Sequence, residues 1–101
     1  MAEVRWTDQA IDDIENIAEY ISKDSLTFAR IQTKRFFERA KILEIHPLTG
    51  RIVPELNDPS TRELIMSNYR IIYHMDSNDA VTILTVHHSQ RLLRNNPAIE
   101  K

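Results

Sequence analysis

The spacing of apolar positions changes twice along this chain. From Ala2 to Trp6 it alternates, with Ala2, Val4 and Trp6 on one side and Glu3 and Arg5 on the other, which predicts a half-buried strand. From Asp8 to Lys23 it lengthens to a helical period. Ala10, Ile11, Ile14, Ile17, Ala18 and Ile21 form one stripe, and Asp12, Asp13, Glu15, Asn16 and Glu19 mostly fill the remainder as a solvated acidic face. Thr7 is the expected N-cap, with Asp8 in the first turn. Asp24 or Ser25 caps a second, longer helix that should end near His46, before Pro47. Its main stripe is Leu26, Ala29, Thr33, Phe36, Phe37, Ala40 and Leu43, while Ile31, Ile42 and Ile45 fall roughly opposite. So short a connection makes the two helices an antiparallel hairpin.

Beyond the turn at Pro47–Gly50 the period returns to two. Arg51, Ile52 and Val53 begin a strand that Pro54 keeps short or at a sheet edge. Leu56 to Thr61 reads as loop. Arg62 to His88 then reads as three strands: RELIM and YRIIYHM joined through Ser67-Asn68, and AVTILTVHH after a turn at Asp76–Asp79. Ile71 and Tyr73 point one way and Ile72 the other, and Val81 and Ile83 are expected to alternate with Leu84 and Val86. Strands apolar on both faces lie mid-sheet, yet these carry Arg70, His74, His87 and His88. The tail has weak helix character at Gln90–Arg94 and stops before Pro97. The order β-α-α-β-β-β-β gives an α+β fold, with the hairpin on one face of a mainly antiparallel twisted sheet and the other face left as a concave surface.

Length and composition narrow the function classes. A chain of 101 residues is expected to form one domain, with 91–101 as its tail. A single glycine excludes a phosphate-binding loop or dinucleotide fingerprint, which need several. Without cysteine there is no disulfide framework or thiolate metal site, which fits a reducing cytoplasm. No signal-type run and no stretch of about 20 apolar residues occurs, so no membrane association is expected. The net charge of −2 argues against a broad phosphate footprint but leaves room for a small basic groove.

The candidate chemistry lies in Glu55, Arg62, Arg70, His87 and His88, with Tyr69 and Tyr73 flanking Arg70. A sheet of this order can bring such groups to one face. A carboxylate base, a guanidinium that stabilises phosphate charge and an imidazole acid suit phosphodiester cleavage, and RNA supplies its own 2′-hydroxyl nucleophile. Taken singly, each residue also has an ordinary explanation as surface charge or a paired sheet residue. His87 and His88 point to opposite faces, so only one can serve a given site. They cannot share a metal ion and no spaced third ligand is near, so neither metal nor cofactor is expected.

These stretches, in order, resemble the RelE/ParE superfamily of type II toxin–antitoxin toxins. The opening VRWTDQAIDDIENIAEYI resembles that family's first strand and helix, and HPLTGR, VPEL, REL, YRIIY and ILTVHH follow in family order. The resemblance implies a helical hairpin on a twisted sheet, a growth-inhibiting toxin of a plasmid-stabilisation type module, and a cognate antitoxin partner. A homodimer or a toxin–antitoxin hetero-oligomer is the assembly it suggests. Ile31 and Ile42 are one candidate antitoxin contact and the exposed sheet face another. The superfamily divides by target. In its messenger-RNA-cleaving branch, similarity makes Glu55 in VPEL the base, Arg70 in YRIIY the phosphate stabiliser and His87 or His88 the acid. Arg51, Arg62, Tyr69 and Tyr73 would then contact substrate. The net acidic charge, the single Arg51 where the nucleases place lysines, the long hairpin and the tail resemble the ParE-like branch, which acts by binding DNA gyrase. That reading is preferred here. The alternative is a ribosome-dependent endoribonuclease, and a third is a non-toxic member kept for antitoxin binding or autoregulation.

Overall fold

Thr7 caps the first helix as its sequence position predicts: its backbone is extended, and its Oγ1 accepts from the Ala10 N–H at 3.0 Å. The computed structural model describes residues 1–99. In it, strand β1 (Glu3–Trp6) leads into helices α1 (Asp8–Ser22) and α2 (Leu26–Ala40). Ser25 caps α2, its Oγ accepting from Phe28 N at 3.1 Å. The helix does not continue to His46. It tightens after Ala40 into a 3-10 turn, Lys41–Glu44, a common way for a helix to end, and this still buries Leu43 fully. Four strands follow: β2 (Arg51–Ile52), β3 (Thr61–Met66), β4 (Tyr69–Met75) and β5 (Ala80–His88). Among the described residues, no helix is long and apolar enough to cross a membrane.

The strands form one sheet in the order β1-β5-β4-β3-β2. β1 pairs with β5 in parallel, Val4 opposite Val81, and every other pairing is antiparallel. The β3–β4 hairpin turns at Ser67-Asn68, with Ser67 at φ 55°, the positive value that a two-residue hairpin turn requires. The hairpin α1–α2 covers one sheet face. There Ala10, Ile14, Phe36, Ala40 and Leu43 pack on Leu64, Ile71, Tyr73, Val81, Ile83 and Val86.

Val86 corrects the expected alternation. A register shift opposite Ile72 and Tyr73 puts Ile83 across from Tyr73 but Thr85 across from Ile72. The extra residue, Leu84, is a β-bulge, and it returns Val86 to the face of Val81 and Ile83.

The second sheet face also differs from expectation. The tail does not leave it concave and open. Leu93, in a 3-10 turn at Leu93–Asn95, and Ile99 pack over Val53 and Ile72 with Leu56 and Leu84 beside them, making a second small core. Burial on this side explains why β4 and β5 are apolar both ways.

The one glycine has a steric reason. A Cβ at Gly50 would lie 2.5 Å from the Tyr73 hydroxyl and 2.7 Å from the Glu63 carbonyl oxygen. Bare backbone there lets Gly50 N–H donate to Tyr73 Oη at 2.9 Å while the hydroxyl donates to the Pro47 carbonyl at 2.8 Å.

Candidate functional site

Pairing decides which candidates share a face. Residues directly opposite in neighbouring strands project to the same side. Arg70 lies opposite His87 and Ile65, and Glu63 opposite Ile72, so Glu63, Arg70 and His87 project to the tail side. Tyr69 lies opposite Met66 and His88, and Tyr73 opposite Arg62. Arg62, Tyr69, Tyr73 and His88 therefore project to the helix side. The expected convergence of all these groups does not occur, because the strand period of two divides the set.

Each residue on the helix side has a local partner. Arg62 Nε donates to the Pro59 carbonyl at 3.1 Å, and its Nη1 donates to those of Leu48 and Gly50 at 3.3 and 3.1 Å. It ties together the loops around β2. The Tyr73 hydroxyl is held between Pro47 and Gly50. Tyr69 meets Phe36 and His88 edge-on, both at 5.3 Å between ring centroids. His88 Nδ1 accepts from Gln90 N–H at 3.2 Å.

On the tail side a line of alternating charges forms. Arg70 Nη1 and Nη2 each donate to Glu55 at 2.7 Å, a two-pronged pair, and Nε donates to Glu63 Oε1. The other Glu63 oxygen accepts from Arg51 Nε at 2.6 Å. The order is Glu55–Arg70–Glu63–Arg51. Exposure grows outward from the middle: the Glu63 side chain is 0% exposed, Arg70 8%, Glu55 47% and Arg51 59%. Hydrogen bonding to Arg70 holds the Glu55 pKa down at about 2. Hydrogen bonds to Glu55, then to Glu63, raise that of Arg70 above its ordinary value. Such a carboxylate is a weak proton acceptor at neutral pH.

The low Glu55 pKa fixes the sign of an acid effect. Its ionised form is favoured in the fold, so its contribution is complete above the ordinary carboxylate value of 4.5 and is lost as pH falls towards about 2. Urea denaturation across that window should show wild type losing more stability than Glu55→Gln. Parallel curves for the two would show that the pair contributes nothing.

His87 sits at the end of another buried relay. Its Nε2 is 2.9 Å from the Arg91 carbonyl, which can only accept, so Nε2 carries the proton. Its Nδ1 is then free to accept from Asn96 Nδ2, also at 2.9 Å. The same amide donates to Thr85 Oγ1 at 3.0 Å, and Thr85 donates to Asp13 Oδ2. Asp13 also accepts from Val86 N–H at 3.0 Å. The relay thus runs from α1 through the bulged part of β5 into the tail. It holds the His87 ring in one orientation at 5% exposure. Among the described residues no cluster of His, Asp and Glu suits a metal ion.

Asp13, Glu63 and Asn96 were not singled out from sequence. Asp13 had a signal: it follows Ala10 by three and precedes Ile17 by four, which puts it on the flank of the apolar stripe rather than on the solvated face. Glu63 had none: only the pairing of β3 with β4, which sets it two positions along from Arg70's partner Ile65, brings it to the same side.

The expected apolar stripe of Ile31 and Ile42 also divides. Ile31 is exposed at 44%, whereas Ile42 packs against the main core, because the 3-10 turn rotates it inward. Ile42→Asp would therefore unsettle the fold itself.

Residues 4–93 match the family model described as the ParE toxin of the type II toxin–antitoxin system, parDE. The chain belongs to the ParE toxin family. Solved structures share the fold of this family member. One, of the chromosomal ParDE toxin–antitoxin system from P. aeruginosa, superposes with a TM-score of 0.74 at 19% identity, covering 89% of this chain and 98% of that one. Another, of the toxin–antitoxin complex RelBE2 from Mycobacterium tuberculosis, gives 0.62 at 24% identity, covering 86% and 96%. At these identities the likeness concerns the fold. No curated protein sequence matches the chain. The α+β reading and the RelE/ParE resemblance agree with these findings: the chain is a toxin of a type II toxin–antitoxin system, of the RelE/ParE superfamily.

Proposed function

We propose that this toxin arrests growth by binding, with DNA gyrase as its cytoplasmic target, and that a cognate antitoxin encoded in the same module neutralises it. The observation that carries the reading is the closed state of the candidate catalytic groups. Arg70 is committed to two carboxylates, Glu55 is a weak base, His87 is buried under the tail with both ring nitrogens engaged, and His88 lies on the other side of the sheet. A surface without a poised acid–base pair suits a protein-binding inhibitor. The antitoxin partner is supported by the family match and by the toxin–antitoxin systems in which the similar folds occur.

One contact favours the alternative, a ribosome-dependent endoribonuclease. Glu55 and Arg70 touch, as a base and a phosphate stabiliser of one site would. Two measurements divide the readings. The purified toxin is expected to reduce DNA supercoiling by gyrase while messenger RNA on translating ribosomes stays whole. Glu55→Gln, which leaves Arg70 paired with Glu63, should be as toxic as wild type. Removing a general base costs about 10²-fold or more in rate, so cleaved messages and a harmless Glu55→Gln would establish the nuclease instead.

A further inference from the structure

The two helices of the hairpin carry opposite charge. On α1, Asp8, Asp12, Glu15 and Glu19 recur at three- and four-residue spacing and form one exposed acidic ridge, with no basic residue before Lys23. α2 carries four basic residues, Arg30, Lys34, Arg35 and Arg39, against one acidic residue, Glu38; Arg30 and Lys34 form the ridge that borders the groove towards α1, and Arg35 and Arg39 lie round the far flank. Helices at this distance normally cross-pair such charges. Here, among the described residues, no salt bridge joins α1 to α2; the one ion pair on either helix is Lys34–Glu38, within α2, at 3.8 Å. Between the ridges runs a shallow groove of about 430 Å³ along Ala18, Leu26, Ala29 and Thr33, with Leu26 56% exposed.

We infer that this outer face of the hairpin binds a second copy of the chain, with the twofold axis parallel to the helices. The geometry selects that axis. In an antiparallel hairpin, Glu19 stands level with Arg30, and Glu15 with Lys34. A twofold axis along the helices lays α1 of one copy over α2 of the other at equal height. Glu15 and Glu19 of each copy then meet Lys34 and Arg30 of its mate, and groove closes over groove. A twofold axis across the helices would set acid on acid and base on base, which costs binding energy.

The charge division makes the face complementary to itself, a property that a face shaped for an unrelated partner does not need. Its size bounds the affinity. Two 15-residue helices present a footprint of roughly 22 by 20 Å, so a dimer buries on the order of 900 Å² in total, at the weak end of specific interfaces. A micromolar, salt-sensitive dimer follows.

Sedimentation of the full chain from about 1 to about 200 µM tests this. Wild type should pass from monomer to dimer, and raising salt from about 0.05 to about 0.5 M should weaken the dimer about ten-fold or more. Two variants, E15K/E19K and R30E/K34E, change only exposed positions, and each should remain monomeric and cooperatively folded, with R30E/K34E melting a few degrees lower because it loses the Lys34–Glu38 pair. Mixed together they should form a one-to-one dimer, since one copy then has two basic helices and the other two acidic ones. A wild-type monomer throughout, or variants that dimerise as wild type does, would overturn the inference. So would two monomeric variants that fail to associate when mixed. Weakened antitoxin binding by variants whose own sedimentation matches wild type would assign the face to the antitoxin instead.

Discussion

Arg70→Ala is expected to lower the unfolding free energy by about 3–5 kcal/mol, the usual cost of breaking a buried ion pair from one side. The cost comes from what remains. Glu63 is fully buried, and without Arg70 its Oε1 would lose its donor while Oε2 kept only the exposed Arg51. The native state of a small domain is worth about 5–15 kcal/mol, so this is a large share of it. Urea denaturation gives the number directly. The partner experiment is Arg70→Met with Glu63→Leu, which removes both buried charges and should recover most of the loss. If Arg70→Ala alone proves neutral, the central pair does not support the sheet. The result bears on function as well. Loss of toxicity in Arg70→Ala would therefore be expected of any toxin with this fold, whatever its target. Glu55→Gln is the cleaner probe, because Glu55 sits at the exposed end of the charge line.

Ending the chain at Gln90 should cost more, about 5–8 kcal/mol. Leu93 and Ile99 each contribute about 1.5–3 kcal/mol by burial, and the Asn96 hydrogen bonds to Thr85 and His87 add about 1 kcal/mol each. The shortened protein should melt well below wild type. Asn96→Ala alone should cost about 1–3 kcal/mol, since it leaves the buried Thr85 and His87 short of a donor. A truncated chain as stable as the full one would mean that the tail only rests on the sheet. Both changes also free the His87 ring, so a gain of RNA cleavage in the stable Asn96→Ala protein would revive the nuclease reading.

Much of this architecture was legible because period and punctuation agree. Thr7 and Ser25 mark helix starts by chemistry that acts within three residues, and the apolar faces of β4 place it mid-sheet, although the expectation of an open second face missed that the tail covers it. What stayed hidden was non-local. Nothing around Leu84 signals a bulge; it arises from register with β4, and it alone returns Val86 to the helix side. The tail looked like a weak helix because Leu92 and Leu93 are adjacent. Only Leu93 is buried, and its partner is Val53, forty residues earlier. The candidate site was legible in part. Arg70 stands out in the sequence as a charge on a mid-sheet strand and Glu55 as a carboxylate after the short edge strand, and the two meet at 2.7 Å. Glu63, at the middle of the charge line, does not stand out, because RELIM read in isolation gives no reason to bury it.

The parallel pairing of β1 with β5 sets when this toxin can become whole. Residues 3–6 pair with residues 80–83, about 77 positions further along the chain. The hairpin α1–α2 is local and can form early, but β1 has no place in the sheet until β5 is available. The same holds for Trp6, which packs against Phe37 on the outer flank of that core. The sheet therefore closes only once β5 is present, which makes docking of β1 the long-range step of folding, whereas the helical hairpin is its local one.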